Sequence, residues 1–457
     1  MIDKGLIKEK QAVDAAGDPL LGFHHVKVRE YVYENMPNFK RKELHKKAAS
    51  YIETNYSPEL WNHRLRTQLF HHYERAGLKK REIEQHLQEM RSHIILNHEL
   101  FPLLTDDILL SCSTPFSDRE DTEQRISQVR ELLHRLNRHE SSSPELLRLE
   151  TAYLELRGGY LIAWGQYKEG RHFINRALKI SEKEHFEELT LRCLQHLCYH
   201  GVQTDSPVLI IPPARSMMHR LRHLECDHYL GAALRYAGVA RQINGNFSGA
   251  KKIFQRSIEV FEELAEIGRP YTLNLLAASN YIGEVEHWQG NYDRALEHFN
   301  YCVNRCEKEG FFWGLSLFHS NVANVAFDLG EDELMAKHVD RAVDLFERCQ
   351  GGRSGSMLYS LKSISEARKG NLPEAVKALD RAELLCAPIR KKSWTSIQYL
   401  AKAILAETMK NTPEALRPKT PNLSRDCRFY ADKAIELFID LHQSKKSEIL
   451  KARFLSD

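Results

Sequence analysis

No stretch of this chain approaches the run of about twenty apolar residues that a membrane-spanning helix needs. The densest, Val208-Leu209-Ile210-Ile211, is cut off by Pro212-Pro213. The start, MIDKGLIKEK, has no apolar core behind its charges, so it does not read as a secretory signal. Cysteine is sparse: nine residues, at positions 112, 193, 198, 226, 302, 306, 349, 386 and 427, with no CxxC pair. An odd number without that spacing argues against a disulfide framework or a cysteine zinc site. The cytoplasm is the expected compartment.

An excess of one charge is also missing. Lys+Arg exceed Asp+Glu by 65 to 62, and residues 1–100, at 17 to 14, account for the whole difference. The basic cluster Lys40-Arg41-Lys42 with Lys46-Lys47 is diluted by Glu34 and Glu43, so it reads as a solvated face. Without a concentrated basic stripe, neither nucleic acid nor an anionic membrane is an expected partner. No GxxxxGK[ST] phosphate loop occurs. The nearest glycine cluster, GGRSGS at 351–356, lacks the lysine and a preceding strand pattern. ATP hydrolysis is not expected, the chain reads as a non-enzyme, and no cofactor is implied.

What is present is length and periodicity. With 457 residues, 42% hydrophobic and 28% charged, the chain has an ordinary globular balance and room for two or more cores or one extended array. Five segments align on a glycine: GQYKEGRHFINRAL from Gly165, GNFSGAKKIFQRSI from Gly245, GNYDRALEHFNYCV from Gly290, GEDELMAKHVDRAV from Gly330 and GNLPEAVKALDRAE from Gly370. The fifth residue onward is Gly170, Ala250, Ala295, Met335 or Ala375, and the ninth is Ile174, Phe254, Phe299, Val339 or Leu379. Seven residues before each glycine stands Gly158, Gly238, Gly283, Ala323 or Ser363. The anchors are 80, 45, 40 and 40 residues apart, which leaves one degenerate copy hidden between 165 and 245.

Each unit therefore predicts two amphipathic helices joined by a short turn. Its small residues let the helices approach, and the apolar residue at the ninth position fills the gap between layers. Such a unit cannot bury its apolar face alone, so neighbours must stack. The pattern resembles the tetratricopeptide repeat in a longer, forty-residue form. The expected fold is all-α, a right-handed solenoid over residues 141–457, preceded by a winged-helix-like segment (1–60) and a helical connector (61–140). The degenerate copy falls at 186–226, where Pro207, Pro212 and Pro213 predict an irregular connection. A final pair is expected at 394–441, followed by a capping helix from Ser444 to Phe454.

The first hundred residues carry a different pattern. Phe23-His24-His25 is followed by Val28-Arg29-Glu30, Val32-Tyr33, Met36-Pro37, Arg41, Leu44-His45 and Ala48-Ala49, and later by FHHYERAG at 70–77. This resembles the winged-helix end of STAND-type signalling ATPases and the helix that introduces their repeats. The resemblance implies a regulatory C-terminal half of a signal-transduction protein, here expected to lack the nucleotide-binding core. It also places His25 where a family histidine can lie near nucleotide, although without that core packing is the plainer role.

The other candidates for chemistry read plainly as well. His196 with His200, and His219 with His223, stand four apart on helices, but a metal needs three or four converging ligands, and no metal is expected there. Cys302 and Cys306 share a face in a core slot. Trp288 and Trp313 lie off the core register and read either as a lid or as a binding anchor.

In solenoids of this kind function lies on the concave surface lined by each unit's first helix. Mapping back from the anchors gives Arg235 and Gln242, then Asn280, Glu284, His287 and Trp288, then Ser320, Asn324, Phe327 and Asp328, then Ser360 and Arg368. This mixed polar and aromatic lining suits a protein or peptide, with a small-molecule effector as a further class. A clamp for a chain-terminal carboxylate is disfavoured, because Val239, Glu284, Asn324 and Ile364 occupy its positions. Two functions follow: a non-catalytic ligand-sensing scaffold of a STAND-like protein, or a free-standing adaptor for a peptide or helical partner.

Overall fold

The computed structural model describes residues 7–13, 19–23, 25–55, 63–98, 101–111, 119–139, 143–224, 227–312, 314–348, 354–386, 389, 391–418, 420, 423 and 425–455. His24, Trp313, Cys112, Cys226 and Cys349 lie outside them. The described chain is almost wholly helical. Its strands, among the described residues, are one antiparallel pair, β1 (Ile7–Val13) and β2 (Pro19–Phe23). Among the described residues no helix is long and apolar enough to cross a membrane.

The chain divides into two compact units, residues 1–89 with 127–149, and residues 90–126 with 150–457. In the first, the hairpin is followed by α1 (Val26–Glu34), α2 (Asn38–Asn55), α3 (His63–Ala76) and the start of α4 (Lys79–His98). Ala49 and Ile52 of α2 meet Leu69 and Tyr73 of α3 in a small core of their own. The exposed face of α2 carries the basic cluster, with Lys47 paired to Glu43 one turn away and Arg41 stacked 5.6 Å from the Tyr33 ring.

In the second unit α5 (Asp106–Ser111) precedes the repeats, and α6 (Arg119–His139) and α7 (Pro144–Ala163) run through the unit boundaries. The pairs are then α7 with α8 (Tyr167–Lys183), α9 (Glu187–Gln203) with α10 (Pro207–Arg220), α11 (Asp227–Ile243) with α12 (Phe247–Glu266), and α13 (Thr272–Trp288) with α14 (Tyr292–Glu309). They continue as α15 (Leu315–Leu329) with α16 (Asp332–Arg348), α17 (Gly355–Arg368) with α18 (Leu372–Cys386), and α19 (Lys392–Lys410) with α20 (Cys427–Asp440), before α21 (Ser444–Phe454). This is an α solenoid of tetratricopeptide type.

The five anchor glycines explain the register. All have φ between +75° and +79°, the left-handed conformation that lacks a Cβ penalty only in glycine. At Gly245 the amide bonds to Gln242 O at 2.9 Å and the next amide, of Asn246, reaches back to Arg241 O at 2.9 Å, a Schellman closure repeated at the other anchors. The small residue seven places earlier has the predicted reason. A Cβ on Gly238 would lie 2.4 Å from the Phe254 ring, and one on Gly283 would lie 2.8 Å from Phe299.

The degenerate copy is more regular than expected. Asp205 takes the left-handed turn at φ 45°, forty residues from both Gly165 and Gly245, and so fills the missing anchor. The prolines do not disrupt the connection. Pro207 starts α10, where its missing N–H costs nothing, and Pro212 and Pro213 lie inside that helix.

Candidate functional site

The first helices α9, α11, α13, α15 and α17 converge on a hollow of about 1230 Å³ that includes open solvent. Six of the residues mapped from sequence line it: Arg235, Gln242, Glu284, His287, Trp288 and Asn324. The others do not. Asn280 is fully buried behind the wall, donating from Nδ2 to Glu284 Oε1 at 2.9 Å and accepting from Asn321 Nδ2 at 2.8 Å. Ser320 and Ser360 turn their hydroxyls onto Ser316 O and Ser356 O of their own helices. Arg368 pairs with Asp332 and stacks 4.5 Å from the Phe327 ring. Asp328 is sealed beneath Lys446.

Beyond further residues of the first helices, such as Val239, Tyr281 and Asn321, part of the wall comes from segments that the five anchors do not place. Tyr199, Val202 and Gln203 belong to α9, Asp205 to its turn, and Lys391, Ser393, Trp394 and Ile397 to the start of α19. Phe438 and Gln443 come from the chain's C-terminal part, and Phe101 from the segment before α5. Phe101 stacks at 5.8 Å on Phe318, with the Arg235 guanidinium 5.6 Å from its ring. Pro102 O accepts from Asn274 Nδ2 at 2.9 Å, and the Asp106 carboxylate accepts from the backbone N–H and hydroxyl of Thr272. Asp205 Oδ2 accepts from Ser393 N at 2.9 Å, which ties the degenerate repeat to α19.

The C-terminal helix closes one end. Lys446 donates to Asn324 Oδ1 at 2.9 Å and to Asp328 Oδ2 at 3.0 Å, and the side chains of Lys446 and Asp328 are only 5% and 4% exposed. His287 Nε2 donates to the same Asp328 oxygen at 2.7 Å. Burial lowers the His287 pKa more than Asp328 raises it, so this contact is a neutral imidazole donating to a carboxylate and not an ion pair. Burial would raise the Asp328 pKa, but Lys446 and then His287 outweigh it and hold the carboxyl below its usual range.

Glu284 is the opposite case. Burial raises its pKa against the opposing pull of Lys391, Asn280 and Gln242, with Asp205 adding to the rise. Gln242 Nε2 points to Glu284 Oε2 at 3.5 Å, and Gln242 is 2% exposed. Its Oε1 is buried without a hydrogen-bond partner among the described residues. With its Nε2 turned to Glu284, the Gln242 amide leaves Oε1 as the unmatched acceptor.

Of the histidine pairs weighed for metal, the side chain of His223 lies outside the described residues, and His196 and His200 are engaged separately. His196 bonds Glu155 Oε1 at 2.9 Å, and Arg91 pairs with the same carboxylate, whereas His200 stacks on Tyr167 at 4.5 Å. The Cys302 and Cys306 thiols are buried in the main core, and burial pushes the Cys302 pKa up to about 12. Trp288 stands edge-on to Phe247 at 6.4 Å with another part of its surface toward the cavity.

No protein-family model and no curated protein matches the chain. Several solved structures resemble it. The apo form of the quorum sensor NprR from B. thuringiensis is 14% identical, over 90% of this chain and 99% of that one, with a TM-score of 0.49. A STAND protein with a tetratricopeptide repeat sensor from Pyrococcus horikoshii is 12% identical, over 99% of this chain and 58% of that one, with a TM-score of 0.46. A tetratricopeptide repeat protein from Parabacteroides merdae is 15% identical, over 61% and 93%, with a TM-score of 0.42. At such scores the function of this chain has to be read from its own residues.

Proposed function

We propose that this chain is a non-catalytic sensing scaffold whose cavity takes a short peptide or a small polar ligand and whose repeats pass the bound state to a protein partner. Gln242 carries the reading. A buried acceptor without a donor costs about 1–3 kcal/mol, and here it belongs to a cavity-lining residue beside Glu284, in a wall that also holds Trp288 and Trp394. A ligand N–H or ammonium aimed at Gln242 and Glu284 supplies the donor that the wall lacks once the amide turns toward it. A few convergent polar groups in an aromatic-lined hollow are what fixes a ligand's orientation.

The same geometry weighs against a long helical partner laid along the first helices. Lys446 already occupies Asn324 and Asp328, and such a partner would have to displace α21. The placement of this scaffold in a STAND-type regulator rests on the motifs at 23–49 and 70–77.

Thermal-shift screening of pooled short peptides and polar metabolites tests the cavity. Ligands are expected that raise the melting temperature of the natural chain and lose that effect in Gln242→Leu and Trp288→Ala. Ligands that stabilise all three proteins equally would place the binding surface elsewhere.

A further inference from the structure

We propose that His45, His71 and His72 form a site for one divalent transition-metal ion, best fitted by zinc(II). All three belong to the first unit, outside the cavity. His45 is one turn before Ala49 on α2, and His72 three residues after Leu69 on α3, so both share the faces on which the two helices pack. His71, the residue before His72 on α3, is exposed at the rim.

The ring geometry is that of a tripod. Ring centroids are 5.1 Å apart for His45 and His72, 5.4 Å for His45 and His71, and 5.5 Å for His71 and His72. With a zinc–nitrogen bond of ~2.0–2.1 Å and the ring centre roughly 1.1 Å beyond, three imidazoles at tetrahedral angles stand ~5.2 Å apart. One nitrogen from each ring lies within 4.8 Å of the others, and His45 Nδ1 meets His72 Nδ1 at 2.8 Å. Two nitrogens at that separation need a proton or a cation between them. A small sideways rotation of the rings, to ~3.4 Å, would exchange that proton for the metal.

The surroundings supply the outer partner that a ligating histidine needs. Tyr33 Oη lies 2.8 Å from His45 Nε2, so with Nε2–H donating to Tyr33 the Nδ1 lone pair faces the cluster. An all-nitrogen donor set selects zinc, copper or nickel over magnesium and calcium. The exposed rim at His71 leaves the fourth position to water.

The test uses the full-length chain without an affinity tag, stripped with chelator. Calorimetric titration with Zn²⁺ should give one ion per chain, and Co²⁺ should give the visible absorption of a tetrahedral site. Affinity should fall at least tenfold in His71→Ala and vanish in His72→Ala. It should also weaken as the pH is lowered, because protons compete for the imidazoles. His71 is exposed, so its variant keeps the fold and decides the matter even if His72→Ala does not. Absence of saturable one-to-one binding, or affinity unchanged in His71→Ala, would show a hydrogen-bonded histidine cluster and nothing more.

Discussion

At the scale of single residues, the cavity unit depends on buried histidines kept uncharged. Burial pushes His200, His228 and His319 down to about 4, with Arg171, Arg269 and His338 respectively as the next contributors. His287 is lowered as well. A folded pKa below the unfolded value of about 6.5 means that stability is fully present above that pH and is lost as the pH falls toward 4. Melting temperature measured from pH 7.5 to 4.5 should therefore decline steadily below 6.5, and a flat profile would contradict the assignment. Lys446 gives a second prediction at this scale. Lys446→Met leaves Asp328 buried with only His287 as donor, and breaking a buried pair this way costs about 3–5 kcal/mol. The loss should appear as release of α21, read by hydrogen exchange at residues 444–454. Unchanged protection there would mean that α21 is held by its apolar contacts alone.

At the scale of elements, most of the repeat register was legible because it rests on local rules. A left-handed residue must end each first helix, and glycine does this without strain. A small residue must face Phe254 or Phe299, and both patterns recur at forty residues. Asp205 and His185 were invisible to that search, since they adopt the same backbone without being glycine. His185, exposed at φ 57°, offers a direct check. His185→Gly relieves left-handed strain of about 1–2 kcal/mol and returns part of it as unfolded-chain entropy. Denaturant unfolding should show a net gain of roughly 0.5–1 kcal/mol, and a loss would mean the imidazole makes a contact worth more than the strain. The histidine tripod escaped notice for a different reason. A search for metal pairs four apart on one helix cannot find ligands split between α2 and α3, twenty-six or twenty-seven residues apart in the chain.

At the scale of the cavity unit, the half of the site that went unseen comes from contacts between distant parts of the chain. Arg235, Gln242, Glu284, His287, Trp288 and Asn324 follow from repeat position, but Lys391, Trp394, Phe438 and Phe101 reach the cavity only because the repeats close on themselves. In an open solenoid each repeat touches only its neighbours, and stability is a sum of adjacent terms. Here Asp106 holds Thr272, Asp205 holds Ser393, Lys445 Nζ donates to Gly290 O at 3.0 Å, and Lys446 spans to Asn324. These ties add terms between repeats that are far apart in order, so residues 150–455 should unfold together instead of fraying from one end. Ending the chain after Leu441 removes the ties made by Lys445 and Lys446 while leaving α19 and α20 in place. The natural chain is expected to lose the helicity of this unit in one sharp denaturant transition. The shortened chain should lose it in a broader one of lower slope, with hydrogen exchange at 392–440 opening before 227–330. If the shortened chain keeps the same slope and a uniform opening order, the C-terminal helix is an appendage, and cooperativity resides in nearest-neighbour packing alone.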